Sequence, residues 1–257
     1  MIRSAYLLEF AGRARIITFP LSDRRARRVG AGHGRAPLAP ELKFVVADDH
    51  PLFRGALRQT LAGTAENATI LEAGTFAETK TIVSNTDDID LVLLDLTMPG
   101  ASGLSGLVAL RAINSAAPVV VVSARDDVET IRRAIELGAS GFISKSASMD
   151  EIRKAVETVL AGGVWIPMDV DLGAEMDPEI SDLIQRLQTL TPQQARVLSM
   201  IAEGLLNKQI AYELSVSEAT IKAHVSAVLQ KLNVDSRTQA VIQLSRIGSE
   251  AQQVPGS

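Results

Sequence analysis

The sequence predicts two folded units, an α/β unit built on a doubly wound, five-stranded parallel sheet and a smaller all-α unit with a helix-turn-helix. Between residues 43 and 161, five short apolar runs alternate with five segments of helical periodicity. After residue 189, only helical patterns follow. The chain has 257 residues, which is long enough for two domains of ordinary size.

The elements of the first unit can be placed from their periodicity. The runs that we expect to form strands are KFVVA (43–47), ATILEA (68–73), LVLLD (91–95), PVVVVSA (118–124) and GFISK (141–145). The segments that suit helices are 52–62, 76–85, 103–114, 127–137 and 149–161. Because a helix separates each strand from the next, the strands are expected to lie parallel, with helices on both faces of the sheet.

The boundaries between these units follow from composition and charge. Residues 1–42 carry eight arginines and three acidic residues without sustained periodicity, so we predict a disordered basic extension. Residues 162–188 begin with Gly, Trp and Pro, pass through an acidic stretch and end in a short helical pattern, which indicates a linker. The two units are then 43–161 and 189–250, followed by a short tail at 251–257.

Composition also excludes several classes of protein. The chain has no cysteine, which rules out disulfides, thiolate metal sites and cysteine nucleophiles. Its apolar runs fall short of the roughly 18 to 20 residues that a membrane span needs. We therefore expect a soluble cytoplasmic protein with no membrane partner.

Polar side chains stand at the ends of four of the five predicted strands. Asp48 and Asp49 follow the first strand, Asp95 ends the third, Ser123 the fourth and Lys145 the fifth. In an open parallel sheet the functional site lies beyond the carboxyl ends of the strands. The sequence therefore predicts that three carboxylates, a hydroxyl and an ammonium group converge at one edge.

Each of these residues also has an ordinary explanation, but the coincidence of five such residues at the ends of four strands makes that explanation less attractive. Asp49 could cap the following helix, with Pro51 in its first turn and Asp48 solvated. Clustered carboxylates instead favour a hard cation such as Mg²⁺. Asp95 could then accept a phosphoryl group as an aspartyl phosphate, with Lys145 and Ser123 contacting the phosphoryl oxygens.

The second unit reads as a series of capped helices. Thr191 and Pro192 begin one helix, Gly204 ends it, a short helix follows at 208–214, and Ser217 caps a longer one. The apolar positions of the longer helix are Ile221, Val225, Val228, Leu229 and Leu232. Its opposite side is built of small or polar residues, namely Ala219, Ala223, Ser226 and Gln230, with Lys222 on the flank. Such a face permits close approach to a DNA groove, but an ordinary amphipathic helix would show the same periodicity.

The motifs of the first unit resemble a known family. DD at 48–49, DLTMPG at 95–100, SARDD at 123–127 and GASGFISKS at 138–146 are similar, in order, to the receiver domain of two-component response regulators, which has a flavodoxin-like fold. DDHP and the MPG turn resemble the NarL/FixJ branch. The resemblance implies that Asp95 is the phospho-acceptor and that Lys145 and Ser123 are catalytic residues. It implies that Asp49 and Asp95 bind Mg²⁺ directly, that Asp48 acts mostly through water, and that the backbone carbonyl of Thr97 is a further ligand. Ser123 and Phe142 match the switch residues, with Phe142 in place of the commoner Tyr.

The second unit resembles the LuxR-type DNA-binding domain. The matching stretches are LTPQQARVL, EGLLNKQIA, SEATIKAHVSAVLQKL and SRTQA. The resemblance implies that Lys222, Ala223 and Ser226 face the groove. It further implies phosphate or supporting contacts by Asn207, Lys208, Thr220, His224, Lys231 and Arg237. Two departures stand out, because Gln193 and Gln194 replace the usual Arg-Glu and Ser226 replaces a common basic residue.

Taken together, the resemblances imply a response regulator. A sensor histidine kinase would phosphorylate Asp95 in an Mg²⁺-dependent reaction, and this would control binding to double-stranded DNA as a dimer, with RNA polymerase as a further partner. The last helix would form the dimer interface through Ala240, Val241 and Leu244, unless these residues belong to the core.

A rival class, the aspartate-nucleophile phosphohydrolases, carries an Asp-x-Asp motif in which the second Asp serves as acid and base. In this sequence Thr97 occupies the position of that second Asp. We therefore expect slow autodephosphorylation at most and no enzymatic turnover.

An alternative function is an interaction protein that binds DNA constitutively and works without phosphorylation. The intact acceptor, acid pair and lysine argue against it.

Overall fold

The computed structural model describes residues 7–10, 13–16, 41–64, 67–101, 103–168, 170 and 177–248. Its strands are β1 (Leu7–Phe10), β2 (Arg13–Ile16), β3 (Leu42–Ala47), β4 (Ala68–Ala73), β5 (Leu91–Asp95), β6 (Val119–Ser123) and β7 (Gly141–Ser144). Its helices are α1 (Pro51–Ala62), α2 (Phe76–Asn85), α3 (Ser105–Ile113), α4 (Val128–Glu136), α5 (Met149–Leu160), α6 (Pro178–Gln188), α7 (Pro192–Ala202), α8 (Asn207–Glu213), α9 (Glu218–Leu232) and α10 (Arg237–Gly248). Within this described part of the chain, every helix is too short or too polar to cross a lipid bilayer.

The first unit is the predicted parallel sheet. The five strands lie in the order β4-β3-β5-β6-β7, and every neighbouring pair is parallel. All residues of β5 and β6 are buried, as expected for central strands covered on both faces. The strand order reverses at β3, so the carboxyl ends of β3 and β5 flank the crevice in which such sheets place their sites.

Two apolar layers hold the helices on the sheet. Because side chains alternate along a strand, Phe44 and Val46 face the layer that contains Leu57 of α1 and Ile152 of α5. Val45 and Ala47 face the opposite layer, which α2, α3 and α4 cover. This alternation explains why the central strands β5 and β6 are apolar at every position before their last residue.

The helix boundaries of this unit follow local backbone chemistry. Thr75, Asp127 and Ser148 cap α2, α4 and α5 by accepting backbone N–H hydrogen bonds. Helix α3 begins at Ser105, two residues later than predicted. Gly103 has a φ of 54°, a left-handed value that the helix cannot include.

The second unit consists of α6 to α10, and its first helix lies in residues that the sequence assigned to the linker. Four side chains of α6 are buried at helical spacing, namely Ile180, Leu183, Ile184 and Leu187. They face α9 and α10, with which α6 is in contact. The second half of the predicted linker is therefore part of the helical unit.

The two units are in contact through helices α3 and α7, and α10 also contacts α3. Lys80 Nζ lies 2.7 Å from Glu203 Oε2 across this boundary. Arg133 of α4, which is buried, donates from Nη1 to the backbone carbonyls of Arg246 and Ile247 at 3.2 Å each. The guanidinium thus caps the carboxyl end of α10, whose last carbonyls lack partners within the helix.

The N-terminal extension differs from the predicted disorder in one segment. Strands β1 and β2 form an antiparallel pair in which Leu7 lies opposite Ile16 and Phe10 opposite Arg13. Two residues separate these strands in the sequence, the commonest length for a hairpin connection. The rest of the predicted disordered extension, apart from residues 41 and 42, lies outside the described residues, as does the predicted tail.

Candidate functional site

The structure brings the acidic pair, Asp95 and Lys145 together beyond the carboxyl ends of β3, β5 and β7. Lys145 Nζ lies 2.8 Å from Asp48 Oδ2 and 2.8 Å from Asp95 Oδ2. Both carboxyl-bearing residues are 1% exposed. Such buried charges are tolerated only when they are paired, so one ammonium group serves two carboxylates.

The two carboxylates keep Lys145 in its protonated, charged form. Burial opposes the protonated form, but the hydrogen bonds and charges of Asp48 and Asp95 outweigh it and raise the pKa of Lys145 above its ordinary value. Lys145 is therefore protonated throughout the neutral range.

A histidine that sequence reasoning left out also belongs to the cluster. His50 Nδ1 lies 2.7 Å from Asp49 Oδ1, 3.4 Å from Asp48 Oδ1 and 4.0 Å from Asp95 Oδ2. His50 is also the N-cap residue of α1, and its side chain makes no capping hydrogen bond. The alternative in which Asp49 caps α1 is thus wrong. The sequence signal that could have identified His50 is its position directly after the acidic pair.

The ligand atoms present suit a divalent cation. One atom from each of Asp48, Asp49, His50 and Asp95 lies within 4.8 Å of the others. Asp49 Oδ1 is buried and has no hydrogen-bond partner among the described residues. A buried oxygen of this kind calls for an unseen partner, and carboxylate oxygens are the ligands that Mg²⁺ prefers. The residues therefore fit the predicted cation.

Thr97 fixes the orientation of the Asp95 side chain. Its backbone N–H donates to Asp95 Oδ1 at 3.0 Å, and its hydroxyl lies 2.9 Å from Oδ1 and 3.0 Å from Oδ2. The turn after β5 thereby holds the carboxylate in place. The role of the Thr97 carbonyl as a metal ligand stays a prediction.

The two predicted switch residues are buried in neighbouring strands, Ser123 at the end of β6 and Phe142 as the second residue of β7. Ser123 and Phe142 are each 0% exposed. Ser123 Oγ accepts a hydrogen bond from the backbone N–H of Arg125 at 3.0 Å. Asp126, in the same loop, accepts a hydrogen bond from Ser144 Oγ at 2.6 Å, which ties the loop after β6 to the end of β7. The switching roles of these residues stay predictions.

The second unit presents the predicted small-residue face to solvent. Ser217 caps α9 by accepting the N–H of Thr220 at 3.1 Å, and α8 precedes it in the helix-turn-helix arrangement. Ile221, Val228 and Leu232 are buried. The exposed residues of the opposite side are Ala219, Lys222, Ala223, Ser226 and Gln230.

Comparison with known families identifies both units. Residues 44–157 match the response regulator receiver domain, and residues 188–244 match the luxR family of bacterial regulatory proteins. The chain belongs to the LuxR-type response regulators. It thus combines a receiver domain with a LuxR-type DNA-binding domain and is homologous to regulators of transcription.

Curated relatives cover most of the chain. It is 41% identical over 206 residues to the glycerol metabolism activator of Pseudomonas putida, a match that spans 78% of this chain and 93% of that protein. It is 35% identical over 214 residues to the nitrate/nitrite response regulator NarP of Escherichia coli K12, spanning 80% and 95% respectively. A solved structure of RcsB from Salmonella enterica serovar Typhimurium bound to promoter P1flhDC aligns with a TM-score of 0.48 and 21% identity, covering 81% of this chain and 100% of that one. The family assignment rests on the sequence matches.

Two predicted DNA contacts of the LuxR-type domain are used within the domain itself. Lys231 Nζ donates to the carbonyl of Thr189 at 2.7 Å and to Gln194 Oε1 at 2.8 Å. Arg237 donates to the carbonyl of Leu205. These two residues support the fold, which was one of the two roles expected for them.

The same contacts account for one departure from the family pattern. Gln194 is buried, accepts from Lys231, and completes a capping box with Thr191 at the start of α7. A neutral glutamine can thus hold the lysine in place. Nothing in the structure explains Ser226, which is exposed on α9.

The remaining predicted DNA contacts are accessible to different extents. Lys208 and Thr220 are exposed, whereas Asn207 and His224 are half-buried. Lys222 is 66% exposed in its side chain and pairs with Glu218 at 3.2 Å. The side of α9 predicted to face the groove therefore offers few cationic groups.

The last helix does not provide the predicted pairing surface. Ala240 and Leu244 are 0% and 3% exposed, and Val241 is half-buried against the core of the DNA-binding domain. Their helical spacing places them against α6, α7 and α9, which α10 contacts. Ile242, at 53% exposure, lies on the opposite side. The expectation of dimer contacts through Ala240, Val241 and Leu244 is thus wrong.

Proposed function

We propose that this response regulator accepts a phosphoryl group on Asp95 from a sensor histidine kinase, in a reaction that requires Mg²⁺. Phosphorylation then controls binding of the LuxR-type domain to specific DNA sequences, as a dimer, and with it transcription. RNA polymerase would be the partner at the promoter.

One observation carries the proposal, the convergence of a buried, oriented carboxylate with a protonated lysine and an acidic pair. Asp95 is fixed by Thr97, and Lys145 lies 2.8 Å from it. A carboxylate so placed can act as a nucleophile, and an adjacent ammonium can pair with a phosphoryl oxygen as charge moves onto it.

The transfer itself is a simple exchange of bonds. A carboxylate oxygen of Asp95 forms a bond to phosphorus while the bond from phosphorus to the kinase histidine nitrogen breaks, and the imidazole leaves. Bound Mg²⁺ would supply positive charge against the carboxylates and the phosphoryl group. Lys145 would exchange one of its carboxylate contacts for a phosphoryl oxygen, and Ser123 would donate its hydroxyl to another.

Control of DNA binding would follow from the weakness of a single domain. Non-specific affinity and its salt dependence scale with the number of neutralised phosphates, and Lys222 is the one lysine or arginine between Ser217 and Gln230. Two domains on adjacent half-sites multiply these small contributions. A signal that favours dimerisation would therefore control the affinity of the protein for DNA.

The proposal is tested by the mass of the intact protein after incubation with acetyl phosphate. With Mg²⁺ present, we expect a gain of one phosphoryl group per chain, and with excess chelator we expect no gain. An unchanged mass in the presence of Mg²⁺ would contradict the proposal and favour constitutive, phosphorylation-independent output.

The phosphorylated protein should decay slowly, because Thr97 provides a hydroxyl where the related phosphohydrolases have a carboxylate base. Thr97→Asp should shorten the lifetime of the phosphorylated state by roughly tenfold or more, since a positioned general base contributes at least that much. Thr97→Asn, which has similar size and no base, is the matched control. Loss of phosphate followed by mass spectrometry measures both. Rapid turnover of a phosphate ester by the unmodified protein would instead indicate a hydrolase.

A further inference from the structure

The backbone holds His50 at the mouth of the acidic site. Its N–H donates to Asp48 Oδ1 at 2.8 Å, and Pro51 begins α1 immediately after it. Although the side chain is 64% exposed, its Nδ1 atom lies on the side of the carboxylates. The ring is therefore placed by the same residues that form the site.

The contacts of Nδ1 make opposite demands on it. Lys145 Nζ lies 3.4 Å away and can only donate, so it requires the lone pair of Nδ1. Asp49 Oδ1 lies 2.7 Å away and can only accept when ionised, so it requires a proton on Nδ1. The pair is therefore favourable only if Nδ1 carries the proton or if a cation accepts a lone pair from each of the two atoms. In the second case Lys145 keeps its contacts with Asp48 and Asp95.

The separations between the ligand atoms are short enough for one ion to contact all four residues. Ligands about 2.1 Å from an octahedral ion lie roughly 3 Å apart when adjacent and about 4.2 Å apart when opposite. Nδ1 lies 2.7 Å from Asp49 Oδ1, 3.4 Å from Asp48 Oδ1 and 4.0 Å from Asp95 Oδ2. None of these three distances exceeds the separation of opposite ligands.

We propose that His50 is a metal ligand of this site through Nδ1, and that it makes the site select late first-row divalent cations such as Ni²⁺ over Mg²⁺. The inference rests on the proposed function in so far as the acidic site holds a divalent cation. Imidazole nitrogen suits Ni²⁺, Co²⁺ and Zn²⁺, whereas Mg²⁺ gains little from it. His50 thus adds affinity for these cations at a site that Mg²⁺ can also occupy.

The test is isothermal titration calorimetry of the full-length protein with Ni²⁺ and with Mg²⁺. The parent protein carries His33→Ala and His224→Ala, which leaves His50 as its one histidine. We expect Ni²⁺ to bind more tightly than Mg²⁺ and saturating Mg²⁺ to compete with it. Adding His50→Ala should weaken Ni²⁺ binding by about tenfold or more, the scale of effects around a metal site, and leave Mg²⁺ affinity within about twofold. Asp49→Asn should weaken both.

The outcomes separate this inference from the proposed function. Equal Ni²⁺ affinity with and without His50, while Asp49→Asn still weakens Mg²⁺, would overturn the ligand role of His50 and leave phosphorylation of Asp95 untouched. Equal losses of Ni²⁺ and Mg²⁺ affinity in His50→Ala would overturn the selectivity. No binding of either cation, together with metal-independent phosphorylation, would overturn the metal requirement on which both depend.

Discussion

Replacement of Asp95 by asparagine is expected to abolish phosphoryl uptake from acetyl phosphate. The amide is a far poorer nucleophile than the carboxylate and cannot form an acyl phosphate. Asparagine keeps the size of the side chain and can still accept from Thr97, so the fold should be retained. Intact mass spectrometry, with circular dichroism to verify folding, measures the effect.

Two further variants test whether the loss of phosphoryl uptake is specific to Asp95. Asp150→Asn removes a carboxylate that is 81% exposed in its side chain on α5 and should be phosphorylated like the parent. Asp49→Ala keeps the acceptor and should greatly slow uptake at limiting Mg²⁺, because a proposed cation ligand is gone. Phosphoryl uptake by Asp95→Asn equal to the parent would place the acceptor elsewhere.

Replacement of Lys145 by methionine is expected to lower the free energy of unfolding by about 3 to 5 kcal/mol, the usual cost of removing one partner of a buried ion pair. The lysine side chain is 13% exposed and neutralises Asp48 and Asp95. Methionine fills a similar volume without the charge. Added Mg²⁺ should stabilise the variant more than the parent, because the cation then replaces the missing charge.

The pH dependence of this difference follows from the pKa of Lys145. A group whose pKa is raised by folding contributes stability that is fully present below its unfolded value of about 10.5 and is lost as pH rises through its folded value. The difference between parent and variant should thus persist across neutral pH and shrink only above about pH 10. Urea unfolding measures it, and Lys154→Met, an exposed lysine of α5, is the control. Equal stability of Lys145→Met and parent would show that the ammonium does not compensate these carboxylates.

The sheet could be predicted from sequence because its signals are local and strong. The runs at 68–73 and 91–95 became β4 and β5 without a shift of boundary, with Asn67 and Gly74 flanking the first and Asp90 preceding the second. Parallel topology then brought Asp48, Asp95 and Lys145 to one edge, which made the site predictable before any distance was known.

Hydrophobic periodicity could not predict the features that depend on side-chain packing. Helix α6 was taken as linker because its buried face has meaning only against α9 and α10. Ala240 and Leu244 show the same spacing whether they face core or a partner. His50 was passed over because no pattern states which way a side chain at a strand end turns.

The account rests on the claim that phosphorylation of Asp95 controls DNA binding. The most direct measurement is the affinity of full-length protein, with and without acetyl phosphate and Mg²⁺, for a DNA sequence selected from a random library. We expect phosphorylation to tighten binding by about 5- to 150-fold, the range of typical allosteric coupling, with no change in Asp95→Asn. Lys222→Ala should weaken binding in both states, because Lys222 lies on the helix proposed to enter the DNA groove. Equal affinity of the phosphorylated and unphosphorylated parent, or an equal gain in Asp95→Asn, would contradict the account.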